Sequence, residues 1–103
     1  MARRAARLDG NHAEAVRDLE SNGWSVLRLL SNESGVPDVV AARDGFACLL
    51  EIKNGKSGRL SEDQRKFINR WPGMCAVVHD ASHAHTTAEK LKDIYDMRRN
   101  FIL

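Results

Sequence analysis

The stretch Gly35–Gln64, GVPDVVAARDGFACLLEIKNGKSGRLSEDQ, decides how this chain is read. Pro37–Ala42 and Phe46–Lys53 are short runs rich in Val, Ile, Leu and Phe, which suit a pleated, half-buried surface. Between them lies Asp44-Gly45, a pair that accepts the positive φ angles of a type I′ turn and so joins two antiparallel strands tightly. With those two residues as the loop, Arg43 faces Phe46, and counting back along both strands sets Asp38 opposite Glu51. Opposed side chains of an antiparallel pair have Cβ atoms about 4.5 to 5.5 Å apart. Lys53, two residues beyond Glu51, projects from the same face. One hairpin therefore presents two carboxylates and an amine together.

Like charges directly opposed destabilise a sheet, so the pairing of Asp38 with Glu51 calls for a use. A divalent cation resolves the repulsion. Two hard carboxylate oxygens, with water completing the shell, suit Mg²⁺, which takes further ligands from phosphate. A cation held there can lower the pKa of a bound water and polarise a phosphorus–oxygen bond. Lys53 can orient that water or stabilise the charge that builds on phosphorus. These are the parts of a phosphodiester hydrolase. The bland alternative is a turn at Pro37-Asp38 and a surface strand pair of Glu51 and Lys53. The preceding Gly35-Val36-Pro37 and the basic loop and helix that follow give the triplet more context than a bare D…ExK match.

Outward from the hairpin, the order reads αβββαβα. Asn11 is expected to cap a first helix with Ala13, Val16 and Leu19 at helical spacing, and Gly23 to stop it. Trp24–Leu30 reads as a strand. Ser61 and Gln64 have the spacing of a capping box that opens a helix through Phe67, Ile68 and Trp71, and Pro72-Gly73 closes it. MCAVVH, residues 74–79, reads as a buried strand. Thr86 and Glu89 offer a capping box for a last helix with Leu91, Ile94 and Tyr95 on one face. The expected fold is α/β, with a mixed central sheet flanked by helices.

The 103 residues have room for one domain, 1–103, of which 1–9 are expected to form a flexible basic arm. A hydrophobic fraction of 43% and a charged fraction of 29% are ordinary for a soluble globular protein. Neither a membrane span nor an apolar secretory leader is visible, which points to a cytoplasmic or nucleoid-associated protein. Cys48 and Cys75 sit in apolar runs and read as core thiols. The net charge of +2 says little, but its distribution says more. Arg3 and Arg4 crowd the N-terminus, and Lys53, Lys56, Arg59, Arg65, Lys66 and Arg70 stand in one segment against only Glu62 and Asp63. That segment can track phosphates, or be a solvated face.

The residues G-x-P-D, twelve intervening residues, E-x-K and then L-S-x-x-Q resemble the motif core of the PD-(D/E)XK nuclease superfamily, whose fold is restriction-endonuclease-like. The spacing is closest to the small VRR-NUC branch, and the resemblance runs from about Glu14 to Val78. It implies that Asp38 and Glu51 ligate Mg²⁺ or Mn²⁺, that the backbone carbonyl of Ile52 adds a ligand, and that Lys53 is catalytic. It also implies that Glu14 holds metal-bound water and that Gln64 positions the lysine or a phosphate. Both have a helix-capping alternative, Glu14 with Asn11 and Gln64 with Ser61. Ser34-Gly35 is similar to the serine that precedes the motif in archaeal Holliday junction resolvases. Stand-alone short members resemble homodimeric junction-cutting enzymes, with branched DNA as partner.

The expected activity is a Mg²⁺-dependent, structure-selective DNA endonuclease, with a four-way junction as favoured substrate. A nuclease of flapped or linear DNA shares the chemistry, and a non-catalytic nucleic-acid-binding module is the alternative of another class. Residues 81–87, ASHAHTT, read as a loop, so His79, Asp80, His83 and His85 are not expected to form a zinc site. His12 is expected at the surface, and Trp24 and Trp71 in the core.

Overall fold

The computed structural model describes residues 10–53 and 58–102. Its elements are α1 (Gly10–Ser21), β1 (Ser25–Arg28), β2 (Val39–Arg43), β3 (Phe46–Ile52), α2 (Glu62–Arg70), β4 (Cys75–Val78), a 3₁₀ turn (Ala81–His83) and α3 (Ala84–Ile102). The four strands form one sheet in the order β1-β2-β3-β4. β1 and β3 each run antiparallel to β2, and β4 runs parallel to β3. The return to a parallel strand needs a crossover, and α2 supplies it. The sheet is thus mixed and flanked by helices, as the element order implies.

Local chemistry sets the boundaries. Asp44 and Gly45 hold φ of 53° and 81°, which makes the hairpin loop a type I′ turn, and the register runs from Arg43↔Phe46 to Val39↔Leu50. Gly23, at φ 89°, ends α1 in a Schellman arrangement. The Trp24 N–H donates to the Leu19 carbonyl at 3.0 Å and that of Gly23 to Glu20 at 3.2 Å. Both Trp24 and Leu19 are buried, so the cap is closed by an apolar contact. α2 begins on the capping box of Ser61 and Gln64.

Two alternating faces follow from the register. Val39, Ala41, Phe46, Cys48, Leu50 and Val78 point to the side covered by α1 and α3, where they meet Ala15, Leu19, Ala84 and Ala88 in one core. Leu49, Glu51 and Val40 point to the other side.

Several boundaries differ from the sequence expectation. Asn11 lies within α1 instead of capping it, and its side-chain amide donates to the Lys53 carbonyl at 3.4 Å. α3 starts at Ala84, ahead of Thr86, because Asp80 caps the preceding 3₁₀ turn by accepting from the Ser82 N–H at 3.1 Å. Residues 81–87 are therefore helical, not a loop. Trp24 is a core residue, but Trp71 is 39% exposed, the C-cap of α2, and stacks on Phe67 with ring centroids 5.2 Å apart. Pro72 forces the chain to leave the helix there, so Trp71 cannot follow Phe67 into the interior.

Candidate active site

The end of the sheet at which β1 and β3 finish and β2 starts gathers the hairpin's polar residues. The expected register holds through Val39↔Leu50 and departs from regular pairing one residue further on. There the Asp38 N–H donates to the Leu50 carbonyl at 3.1 Å, while the Asp38 carbonyl accepts from Leu29 at 2.8 Å. The Asp38 carboxylate Oδ2 accepts the Ile52 N–H at 2.7 Å. One side-chain oxygen thus takes over a strand N–H and fixes the carboxylate against the Glu51–Ile52 peptide.

Glu51 is buried, with a residue exposure of 4%. Its Oε2 accepts from Gln64 Nε2 at 3.0 Å and lies 3.6 Å from Lys53 Nζ. Lys53 Nζ in turn donates to Gln64 Oε1 at 2.8 Å, and the same oxygen accepts the Ser61 N–H at 2.8 Å. The orientation of this carboxamide is chemically forced. An ammonium and a backbone N–H can only donate, so the oxygen must face them, and the nitrogen must face the carboxylate. Gln64 therefore serves both of its readings at once. It closes the capping box with Ser61 and joins the acid to the amine.

The loop before Asp38 is fastened to the start of α2. Ser34 Oγ donates to Asp63 Oδ2, and Gly35, at φ 86°, lies so close that a Cβ there would collide with the Asp63 backbone carbonyl. Only glycine meets both demands. Glu33 and Arg70 add an exposed ion pair at 3.2 Å between the same loop and helix. The loop thereby sets Asp38 and α2 sets Gln64 relative to each other.

Burial, and next the charge of Asp38, push the Glu51 carboxyl up from 4.5 to about 7, against the pull of Lys53. A carboxyl raised by burial and a neighbouring acid marks a candidate functional site. Among the described residues no three His, Cys, Asp or Glu side chains form a ready-made cage. Two carboxylates with open coordination positions fit Mg²⁺, which keeps several waters and takes ligands from substrate phosphate.

The other candidates are placed less centrally. Glu14 is exposed on α1, two positions beyond His12 and so about 200° around the helix from it. It is not brought into the constellation. Arg59, Arg65 and Lys66 are exposed on or just before α2, Lys66 within 3.7 Å of Glu62. Arg3, Arg4, Lys56 and the basic arm 1–9 lie outside the described residues. The Ile52 peptide lies against Asp38 through its N–H. Cys48 and Cys75 are free, and burial pushes their thiols up to about 12 and about 11; Cys48 is a core thiol as expected, whereas Cys75 is half-buried and outside the core. His83 Nδ1 stands 3.0 Å from Asp80, and the His85 N–H donates to Asp18 at 2.7 Å, tying α3 to α1.

One polar residue expected at the surface is instead buried. His12 is 8% exposed and lines a cleft of about 250 Å³ together with Arg28, Ser31, Asn32 and Asp38. The signal was available in the sequence, because His12 falls in phase with Ala15, Val16 and Leu19, the buried stripe of α1.

The family model described as archaeal Holliday junction resolvase (hjc) matches residues 6–69, more than half of the chain. A solved structure described as a VRR_NUC domain superposes with a TM-score of 0.63 at 21% sequence identity, covering 82% of this chain and 92% of that one. This likeness shows the restriction-endonuclease-like fold. No curated protein sequence matches the chain.

Proposed function

Since the chain belongs to the archaeal Holliday junction resolvase family of PD-(D/E)XK nucleases, we propose that it is a divalent-metal-dependent DNA endonuclease that cuts four-way junctions. The observation that carries this reading is the Gln64 bridge, which holds Lys53 and Glu51 in one fixed array beside Asp38. A surface ion pair has no need of a half-buried carboxamide to orient it.

Asp38 and Glu51 would hold the cation, with the Ile52 carbonyl as a further ligand. Bound Mg²⁺ or Mn²⁺ supplies the Lewis acidity that activates water and polarises the phosphoryl oxygens. Every other part belongs to the chain. Gln64 accepts one hydrogen of the Lys53 ammonium and so aims the remaining two, which stabilise the negative charge that grows on the phosphate oxygens. The Ile52 amide holds Asp38, so its carboxylate stays beside Glu51. Arg59, Arg65 and Lys66, with Lys56 and the arm residues Arg3 and Arg4, would neutralise phosphates flanking the cut, making binding fall with salt. Two symmetry-related cuts in a junction call for two such sites, which a C2 homodimer provides.

The test is incubation of the purified protein with labelled four-way junction, flap and linear duplex in Mg²⁺, Mn²⁺ or EDTA. Paired incisions in the junction, dependent on the cation, are expected. Equal cutting of flap or linear DNA would move the substrate assignment. Absence of cutting with DNA binding intact would replace the enzyme by a binding module.

A further inference from the structure

The cleft beside Asp38 contains a group that the nuclease constellation does not use. Among the described residues two polar or charged side chains count as buried, Glu51 and His12. Glu51 belongs to the array with Lys53. His12 belongs to a different element, the N-terminal end of α1, yet it opens onto the cleft that Asp38 lines. Its neighbour Asn11 donates to the carbonyl of Lys53 at 3.4 Å, so this turn of α1 is tied to the backbone of the reaction centre.

The composition of the cleft indicates what enters it. Beside Leu29 and Leu30 its lining residues are Arg28, Ser31, Asn32 and His12, whose side chains are of donor type, and Asp38, the one acidic residue among them. Each of those four can donate hydrogen bonds, and Asp38 is the residue that a cation would neutralise. A pocket with such walls suits an anion whose oxygens accept several hydrogen bonds while one of them meets a metal, and a backbone phosphate of DNA has that chemistry.

We propose that His12 contacts the substrate, donating a hydrogen bond to the DNA phosphate seated beside Asp38, and so is a fourth side chain of the catalytic centre. The proposal rests on the nuclease reading of Asp38, Glu51 and Lys53. It places α1 in the active site through His12.

The experiment compares wild type, His12→Ala and His12→Gln. Gln retains an N–H donor at similar reach, and Ala does not. Three quantities are read on each purified protein: the melting temperature, the affinity for a four-way junction in EDTA, and the single-turnover cleavage rate in saturating Mg²⁺. The expected result is a loss of cleavage of about tenfold or more in His12→Ala at a temperature where it is fully folded, with partial recovery in His12→Gln. A merely structural histidine would lower the melting temperature of both variants and leave the rate of the folded enzyme unchanged, which overturns the proposal. Should neither variant fold, ¹⁵N-histidine-labelled wild type titrated with junction decides. A ring-nitrogen shift at His12 that exceeds those at His79, His83 and His85 supports the contact, and an unmoved His12 refutes it. A wild type that cuts junctions while His12 is inert removes this inference alone. A wild type that neither binds nor cuts DNA removes the nuclease reading and this one with it.

Discussion

Replacing Glu51 with glutamine should stabilise the metal-free protein above neutral pH while abolishing its activity. The folded chain holds the Glu51 proton up to about pH 7, whereas an unfolded glutamic acid releases it near 4.5. Between those values the native state binds more protons than the unfolded state, so stability falls as pH rises through this window and is lowest, for this group, above 7. At ~1.4 kcal/mol per tenfold change in proton affinity, the cost at pH 8 reaches at most about 3 kcal/mol. The side chain is only 5% exposed, which justifies keeping most of that figure, and the attraction to Lys53 at 3.6 Å is already contained in it. The carboxamide introduced by Glu51→Gln would carry no charge to desolvate and none to repel Asp38, and could still accept from Gln64. A net gain of about 1–2 kcal/mol would raise the melting temperature by about 5–10 °C in a domain of this size. The assay is thermal unfolding of both proteins in EDTA at several values from pH 5 to 8.5. The gap should open with rising pH, and adding Mg²⁺ should narrow it by stabilising the wild type alone. Equal melting at pH 8, or a variant that is less stable there, would refute the reasoning that this carboxylate is held at an electrostatic cost.

Asp38→Asn removes the same repulsion from the other side and keeps an oxygen for the Ile52 N–H, so it should melt slightly higher than wild type in EDTA and gain little from Mg²⁺ or Mn²⁺. A destabilised variant that still gains from metal would make Asp38 a turn residue. Gly35→Ala should cost about 1–3 kcal/mol by denaturant unfolding and lower cleavage, since a Cβ there meets the Asp63 carbonyl and φ is 86°; wild-type values would show that the loop gives way freely. Sedimentation equilibrium at micromolar concentration should show a dimer, with the segment Phe101–Leu103 and the basic N-terminal arm as candidate contacts; a monomer with and without junction DNA would count against junction cutting as the main activity.

The site's centre was legible because a two-residue loop fixes register. Asp44-Gly45 permits one hairpin geometry, and that geometry sets Val39 opposite Leu50, which leaves the Asp38 carboxylate, held on the Ile52 N–H, near enough to raise the Glu51 carboxyl. Gly23 and the Ser61/Gln64 box were equally readable, each being a local hydrogen-bond pattern with few residue choices. What escaped depends on contacts between distant segments. The capping spacing around Gln64 does not say that its carboxamide reaches Glu51, and only the family resemblance set it beside Lys53. Gly35 reads as a turn residue, yet its need comes from the backbone of Asp63, twenty-eight residues on. Asp80 competes with Thr86 as a helix start, and wins because its carboxylate takes both the N–H and the hydroxyl of Ser82. Phasing α1 on Ala13, which is half-buried, misplaces His12, because the stripe through Ala15, Val16 and Leu19 includes the histidine.

In the proposed mechanism Lys53, aimed by Gln64, acts on the phosphate while Asp38 and Glu51 hold the cation. The measurement that tests it most directly is single-turnover cleavage of a labelled four-way junction in saturating Mg²⁺ by wild type and Lys53→Ala, with metal and junction affinities determined on the same preparations. The account predicts cleavage lowered by about 10²–10³-fold, as for other donors lost from a transition state, with both affinities largely kept. Near-normal turnover by Lys53→Ala would contradict it.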